Sequence, residues 1–171
     1  MANRYYLNEE KYPRYGNCVF ISHQRNDKEI AKTIANYIYR SGLDIYFDEY
    51  DMSIDRDDPQ SVVNAIKNGI RRSTHMLCIL SQNALQSKWM PWEIGYGYER
   101  LQVAGITVKE ISKGVLPEYL QIVPILRGTR SLNTFIANTM GRIEKSLIDE
   151  QKIYSASMMS HPLDSILDWS L

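Results

Sequence analysis

The sequence predicts an α/β protein with a central parallel sheet of about five strands and helices on both faces. Short apolar stretches alternate with helical patterns along the chain, as is typical of parallel strands joined by crossover helices. The stretch HMLCIL (75–80) is apolar throughout, as expected for a central strand covered on both faces. The 171 residues are enough to bury a core of this kind in one domain.

The first half of the chain contains two strand–helix units. NCVFIS (17–22) and LDIYF (43–47) are short apolar runs that predict strands. Between them, isoleucines recur every four residues and Gly42 marks the end of a helix. Asp58 followed by Pro59 indicates the start of a second helix. The apolar face of this second helix consists of Val62, Val63, Ile66 and Ile70.

The second half continues the same alternation. After the strand at 75–80, a helix is predicted to start near Lys88, and ITVKEI (106–111) and IVPIL (122–126) are candidate strands. A last helix is predicted from Ser131 to Ile148. We therefore divide the chain into an N-terminal tail (1–16), a domain (17–148) and a C-terminal extension (149–171). Apolar spacing predicts that the extension is helical, either docked on the domain or free to bind a partner.

The composition excludes several classes of partner. Twenty basic residues balance twenty acidic ones, so no charge pattern indicates nucleic acid or an anionic membrane. The start of the chain lacks an apolar signal region, and no apolar run is long enough to span a bilayer. Cys18 and Cys78 lie in apolar stretches, which favours reduced core residues, and neither the cysteines nor the histidines show metal-ligand spacing. We expect a soluble cytoplasmic protein with no metal and no cofactor.

Ligands of parallel α/β sheets bind beyond the carboxyl ends of the strands. This rule selects three loops as candidate site segments: 22–27, 48–58 and 81–92. Asp27 is either a helix-start residue or a ligand contact, and His23 is either a base or nucleotide contact or a loop hydrogen-bonding residue. The acidic loop 48–58 could hold a divalent cation or be solvated, and it shows no ion-binding spacing.

The segment SKWMPWEIGYGYE (87–99) places a carboxylate among aromatic residues. On a helix, Trp89 and Glu93 share a face because they are four residues apart. Glu93 is either a solvated or paired surface charge, for which Lys88 and Arg100 are candidate partners, or a catalytic group at the rim. Gly95 and Gly97 each cost about 1 kcal/mol in a helix, which indicates either a close approach by another backbone, a subunit or a ligand, or an irregular helix.

Four motifs are together similar to the Toll/interleukin-1 receptor (TIR) domain over about residues 17–148. They are NCVFISHQRND, LDIYFDE, AIKNGIRRS and HMLCILSQNALQSKWMPWE. The resemblance implies a flavodoxin-like fold. It also implies cleavage of the nicotinamide–ribose bond of NAD+, with Glu93 as the catalytic residue. The residues that we predict to border the substrate are Ser22, His23, Asp27, Tyr46, Ser87 and Trp89.

A single carboxylate suits this chemistry. Ordinary glycoside hydrolysis uses two carboxylates, one of which protonates the leaving oxygen. Nicotinamide departs neutral from a cationic pyridinium, so it needs no general acid, and one glutamate can stabilise the positive ribose. The sequence has no Gly-rich phosphate fingerprint of a dinucleotide-binding dehydrogenase.

The resemblance implies an NAD+ glycohydrolase or cyclase of bacterial antiviral defence, whose ADP-ribose product could activate a separate effector. It also implies self-association through TIR surfaces. The loop 48–58 matches a loop that contacts neighbouring subunits, but here it lacks a glycine and is acidic. Two alternatives remain open: a non-catalytic TIR scaffold, against which the Trp89–Glu93 pair argues, and a nucleoside deoxyribosyltransferase-like enzyme.

Overall fold

The computed structural model describes residues 16–47 and 54–170, in which five strands form one parallel sheet. The strands are β1 (Cys18–Ser22), β2 (Asp44–Tyr46), β3 (His75–Leu80), β4 (Gln102–Thr107) and β5 (Ile125–Leu126). Their order is β2-β1-β3-β4-β5, and every neighbouring pair is parallel. This order is that of flavodoxin-like folds, which confirms the predicted fold class.

Six α-helices occur in the described residues. They are α1 (Lys28–Ser41), α2 (Pro59–Arg72), α3 (Gln82–Leu85), α4 (Trp89–Tyr98), α5 (Thr129–Met140) and α6 (Glu144–Asp149). As predicted, α1 ends at Gly42, whose φ of 106° is left-handed and suits glycine. The start of α2 also follows the prediction, because the Asp58 carboxylate accepts hydrogen bonds from the first backbone N–H groups of that helix.

Helices α2 and α4 cover one face of the sheet. Phe20 is paired in register with both Tyr46 and Met76, so these three side chains share that face. A Cβ added to Gly69 of α2 would lie 2.5 Å from the Tyr46 ring, and one added to Gly97 of α4 would lie 2.8 Å from Met76 Cε. Gly97 therefore allows α4 to approach strand β3 within the same chain.

Helices α1 and α5 cover the opposite face. His75 precedes Met76 in β3 and so points the other way, and its ring meets Phe135 of α5 edge-on with centroids 6.0 Å apart. Tyr37 of α1 donates a hydrogen bond of 2.8 Å to Asn133 of α5. The sheet thus has helices on both faces, as the alternating pattern predicted.

Three predicted elements in the second half have other bounds, and of the strand predicted at 122–126 only Ile125–Leu126 forms a strand. Strand β4 runs from Gln102 to Thr107, whereas the strand was predicted at 106–111. Residues Lys109–Ile111 instead form a 3-10 turn. The single helix predicted from Ser131 to Ile148 is wrong as well, because Gly141 has a left-handed φ of 63° and separates α5 from α6.

The C-terminal extension packs against the domain without forming a helix. Residues 150–170 contain turns and irregular segments, so the predicted helix is wrong. Leu163 and Leu167 are nevertheless completely buried in the core. The Lys109 N–H donates to the Ile166 carbonyl at 2.7 Å, and the Thr129 N–H donates to the Asp168 carbonyl at 2.8 Å. The extension docks through irregular backbone, and the described structure favours docking over a free partner-binding tail.

A buried polar cluster fastens the extension to α1 and α5. We call it the C-terminal knot, and it consists of Tyr37, Asn133, Tyr154 and His161. The Tyr37 hydroxyl accepts from the Tyr154 N–H at 3.0 Å and lies 3.3 Å from His161 Nε2. Asn133 donates to the Tyr154 carbonyl at 2.8 Å. The paired side chains satisfy one another across three segments that are far apart in sequence.

Two predicted segments lie outside the described residues: nearly all of the N-terminal tail, and positions 48–53 of the acidic loop. Among the helices that the structure describes, none has the length and apolar character needed to cross a membrane.

Candidate active site

Glu93 is a buried residue at the carboxyl edge of the sheet. It lies on α4 four positions after Trp89, and only 8% of it is exposed. Ser22, the last residue of β1, donates its hydroxyl hydrogen bond to the Glu93 carboxylate. Of the two alternatives left by the sequence, the structure excludes a solvated surface charge. A buried carboxylate is costly, so its position beside strand ends is typical of a functional group.

Cys78 completes the buried surroundings of this carboxylate. It is paired in register with Ser22, so both side chains point to the face that α4 covers. Burial raises the pKa of the Cys78 thiol, and the negative charge of Glu93 raises it further, against a hydrogen bond with Ser22. The thiol therefore stays protonated at neutral pH. Sequence reasoning placed Cys78 in the core and missed its contact with the site, which only the strand register reveals.

Asp27 is a buried carboxylate with a different environment. It is 3% exposed, and its two oxygens accept hydrogen bonds from the Ser81 hydroxyl and, at 3.0 Å, from the Asn83 amide. Ser81 also accepts from the Ala84 N–H at 3.0 Å, which caps α3. Asp27 thus ties the loop after β1 to the loop after β3. A direct contact of Asp27 with substrate stays a prediction.

His23 and Tyr46 occupy different depths. His23 follows Ser22 directly and is half-buried, with its ring 4.8 Å from the Phe47 ring. Tyr46 is 1% exposed, and its ring stacks on Phe20 with centroids 5.3 Å apart. The described structure therefore places Tyr46 in the hydrophobic core under α2, away from the carboxyl edge where Glu93 lies. His23 lies at that edge.

Ser87 and Trp89 lie at the start of α4. The Ser87 hydroxyl accepts from the Trp89 N–H at 3.2 Å. Trp89 is 48% exposed and meets Trp92 edge-on at 5.7 Å. Trp92 stacks on Tyr96, and the Arg100 guanidinium lies 4.2 Å above the Tyr96 ring. Trp89 is thus an exposed aromatic surface one turn before Glu93, while Arg100 packs further along the helix.

A cavity of about 680 Å³ lies elsewhere in the molecule. Its lining includes His75 and Gln102, the first residues of β3 and β4, so it opens at the amino ends of the strands. Glu93 and Ser22 lie at the opposite edge of the sheet, where the strands have their carboxyl ends. Within residues 16–47 and 54–170 there is no group of three or more His, Cys, Asp or Glu side chains that could hold a metal ion.

The fold and the buried glutamate agree with the comparison against known families. A family model described as "TIR domain" matches residues 19–132, which is more than half of the chain. The chain therefore belongs to the TIR domain family.

A curated relative is "Probable 3' cyclic ADP-D-ribose synthase ThsB'" of Bacillus cereus (strain MSX-D12). It is 32% identical over 96 residues, which cover 53% of this chain and 47% of that protein. The chain thus matches about half the length of this relative. Among solved structures, the TIR domains of the activated Roq1 resistosome recognising the effector XopQ match with a TM-score of 0.45 at 17% identity. That match covers 80% of this chain and 97% of the other.

Proposed function

We propose that this protein cleaves the bond between nicotinamide and ribose in NAD+, with Glu93 as the catalytic residue. The observation that carries the proposal is the burial of Glu93 at the carboxyl edge of the sheet, where its carboxylate accepts a hydrogen bond from Ser22. A glutamate that served only solubility would be exposed. The family and the name of the B. cereus relative support an NAD+-processing activity.

The surroundings of Glu93 suit a mechanism with one carboxylate. When the bond to nicotinamide breaks, positive charge develops on the ribose and the pyridine leaves neutral, so no proton donor is needed at the leaving nitrogen. A carboxylate fixed by Ser22 and shielded from water stabilises that charge strongly. The other buried carboxylate, Asp27, already accepts hydrogen bonds at both oxygens. Glu93 is therefore the carboxylate that we assign to the transition state.

The fate of the ribosyl cation distinguishes a hydrolase from a cyclase. Attack by water gives ADP-ribose, and attack by a hydroxyl or ring nitrogen of the same molecule gives a cyclic product. The name of the relative favours a cyclic ADP-ribose. We propose that such a product serves as a signal to a separate effector in bacterial antiviral defence, and that the chain self-associates through TIR surfaces to become active.

The test is incubation of the purified protein with NAD+ at high protein concentration, with chromatography of released nicotinamide. Glu93→Gln keeps the size of the side chain and removes its charge, so we expect the rate to fall by about a hundred- to a thousandfold. The matched control is Glu99→Gln, an exposed position just after the same helix, which should retain wild-type activity. Mass spectrometry identifies the product.

The alternatives give different results. A TIR scaffold without catalysis predicts that wild type and Glu93→Gln are equally inactive on NAD+. A deoxyribosyltransferase-like enzyme predicts base exchange on deoxynucleosides, also dependent on Glu93.

A further inference from the structure

Gly95 lies in the middle of α4, on the side of the helix that faces solvent. The helix runs from Trp89 to Tyr98, so Gly95 does not terminate it. Gly97 is required for the close contact with Met76, but a Cβ added to Gly95 would meet no described atom within 4 Å. Glycine inside a helix costs about 1 kcal/mol relative to alanine. The missing side chain of Gly95 therefore serves no packing within the described chain.

Gly95 belongs to a row of four residues on the outer side of α4, which we call the α4 row: Lys88, Trp92, Gly95 and Glu99. Their spacings are four, three and four residues, so they lie in line along a helix of 3.6 residues per turn. Lys88 and Glu99 flank the helix with right-handed helical backbone and continue the row at its two ends. Lys88, Gly95 and Glu99 are exposed, and Trp92 is half-buried.

The outer side of α4 lacks the charged side chains that usually cover an exposed helix. Between Trp89 and Tyr98 the helix contains one charged residue, Glu93, which is buried on the inner side. Trp89 and Tyr98 flank the row and are each 48% exposed. An exposed helix face that is aromatic and uncharged is typical of a contact surface between proteins.

The charges of the α4 row are confined to its two ends and have opposite signs. Neither the Lys88 nor the Glu99 side chain forms a hydrogen bond or an ion pair with the described residues. If a second α4 lies antiparallel on the first, position 88 faces position 99 and position 92 faces position 95, because both pairs are centred on the same point of the helix. The row is thus complementary to itself, as a two-fold dimer contact requires.

We infer that the α4 row is a homodimer contact, in which α4 packs antiparallel against α4 of a second copy of this chain. The Trp92 ring of each copy occupies the open space over Gly95 of the other, and Lys88 pairs with Glu99 at both ends. The inference names a surface for the self-association in the proposed function and rests on that part of it alone. One helix from each copy makes a small interface, so the dimer is weak and forms at micromolar concentrations.

The first test is Gly95→Leu, with the dimer dissociation constant measured by sedimentation equilibrium. The added side chains obstruct the contact twice, so we expect the dissociation constant to rise by about a hundredfold or more. The melting temperature of the monomer should stay equal or rise, because the Cβ position is open and leucine favours helices. The matched control is Asn138→Leu, at an exposed position of α5 on the opposite face of the sheet, which should dimerise as the wild type does.

The second test reverses the charges at the ends of the row. Lys88→Glu and Glu99→Lys each place like charges opposite one another at both ends, so each should raise the dissociation constant about tenfold. An equimolar mixture of the two variants should restore wild-type affinity, because opposite charges then face each other at both ends. Lys145→Glu, at an exposed position of α6, is the control for net charge and should have no effect.

Glu99→Gln removes a charge without introducing repulsion. Its dimer should therefore persist at the high protein concentration of the activity assay.

The outcomes separate this inference from NAD+ cleavage. A wild type that stays monomeric overturns the inference, as does a Gly95→Leu variant that dimerises normally or a mixture of the two charge variants without restored affinity. Nicotinamide release is measured on the same preparations. A monomeric wild type that releases nicotinamide leaves the cleavage proposal intact, and a dimer of the expected properties that releases none overturns the cleavage proposal alone.

Discussion

Two buried polar clusters sit on opposite faces of the same sheet and differ in the kind of groups that they bury. In the C-terminal knot, Tyr37 and Asn133 bond to each other and to the backbone of Tyr154. At the carboxyl edge, the buried carboxylates of Glu93 and Asp27 accept hydrogen bonds from Ser22, Ser81 and Asn83. The first cluster joins neutral side chains to backbone groups, whereas the second gathers two buried carboxylates.

The difference separates a structural network from a binding site. A satisfied buried network rigidifies the fold, and the knot does so by joining α1, α5 and the C-terminal extension. A buried carboxylate is costly to the stability of a fold, and proteins retain such groups mainly at functional sites. Substitutions in the knot should therefore lower stability, whereas substitutions at the carboxyl edge should lower activity.

The largest effect on stability is expected from Asn133→Leu. This residue is fully buried, and its loss leaves the Tyr37 hydroxyl and the Tyr154 carbonyl with fewer partners. We expect the free energy of unfolding in urea to fall by about 2–4 kcal/mol, because each buried polar group that loses its hydrogen-bond partner costs about 1–3 kcal/mol. Nicotinamide release per folded molecule should not change.

The control for this variant is Asn138→Leu, at an exposed position of the same helix. It should shift the unfolding free energy by less than about 0.5 kcal/mol. Equal losses of unfolding free energy in the two variants would mean that the hydrogen bonds of the knot contribute no specific stability.

Ser22→Ala tests the carboxyl edge and should give an intermediate effect. A hydrogen bond to a charged group is worth about 1.5–3 kcal/mol, so we expect kcat/KM for NAD+ to fall by roughly 10- to 100-fold. The exposed Ser157 provides the control variant Ser157→Ala, with wild-type kinetics. If Ser22→Ala lowers the melting temperature strongly and leaves kcat/KM intact, the contrast between the two clusters fails.

The smallest expected effect is the pH dependence of stability that arises from His161 in the C-terminal knot. Burial lowers the pKa of His161, and the charge of Asp164 and the carbonyl of Tyr154 oppose this only in part. The neutral ring accepts the Leu163 N–H at 3.1 Å through Nδ1. Because the unfolded chain binds the proton more readily, stability is complete above about pH 6.5 and declines as the pH falls towards the folded pKa.

The measurement is the melting temperature between pH 8 and pH 5. His161→Gln should show a shallower decline than wild type, though not a flat one, since burial also lowers the pKa of His75. Parallel profiles for the two proteins would show that His161 does not titrate in this range.

Much of the fold could be predicted because the local patterns agree with the tertiary structure. The apolar run of β3 and the capped start of α2 are examples. Strand β4 was misplaced because Ala104 and Gly105 have low strand propensity, and pairing with β3 overrides that preference. The extension was predicted as a helix from leucine spacing alone, although its leucines are buried through irregular turns.

The candidate site was predictable only in part. Glu93 and Ser22 were identified through motif resemblance, and the structure brings them together. Cys78 lies within one of the motifs, but its place beside Ser22 depends on the strand register, which the sequence alone does not give. Tyr46 lies next to a strand end in sequence, but its side chain points into the core. Sequence spacing does not determine such orientations.

The docked extension also affects how the chain matures during synthesis. The family match ends at residue 132, and the whole sheet has been translated by Leu126, yet Leu163 and Leu167 belong to the same core. A nascent chain that carries all five strands therefore still exposes the apolar surface that these leucines cover. Such surfaces favour aggregation, so premature termination between residues 132 and 163 should produce a substrate for chaperones rather than a smaller working domain.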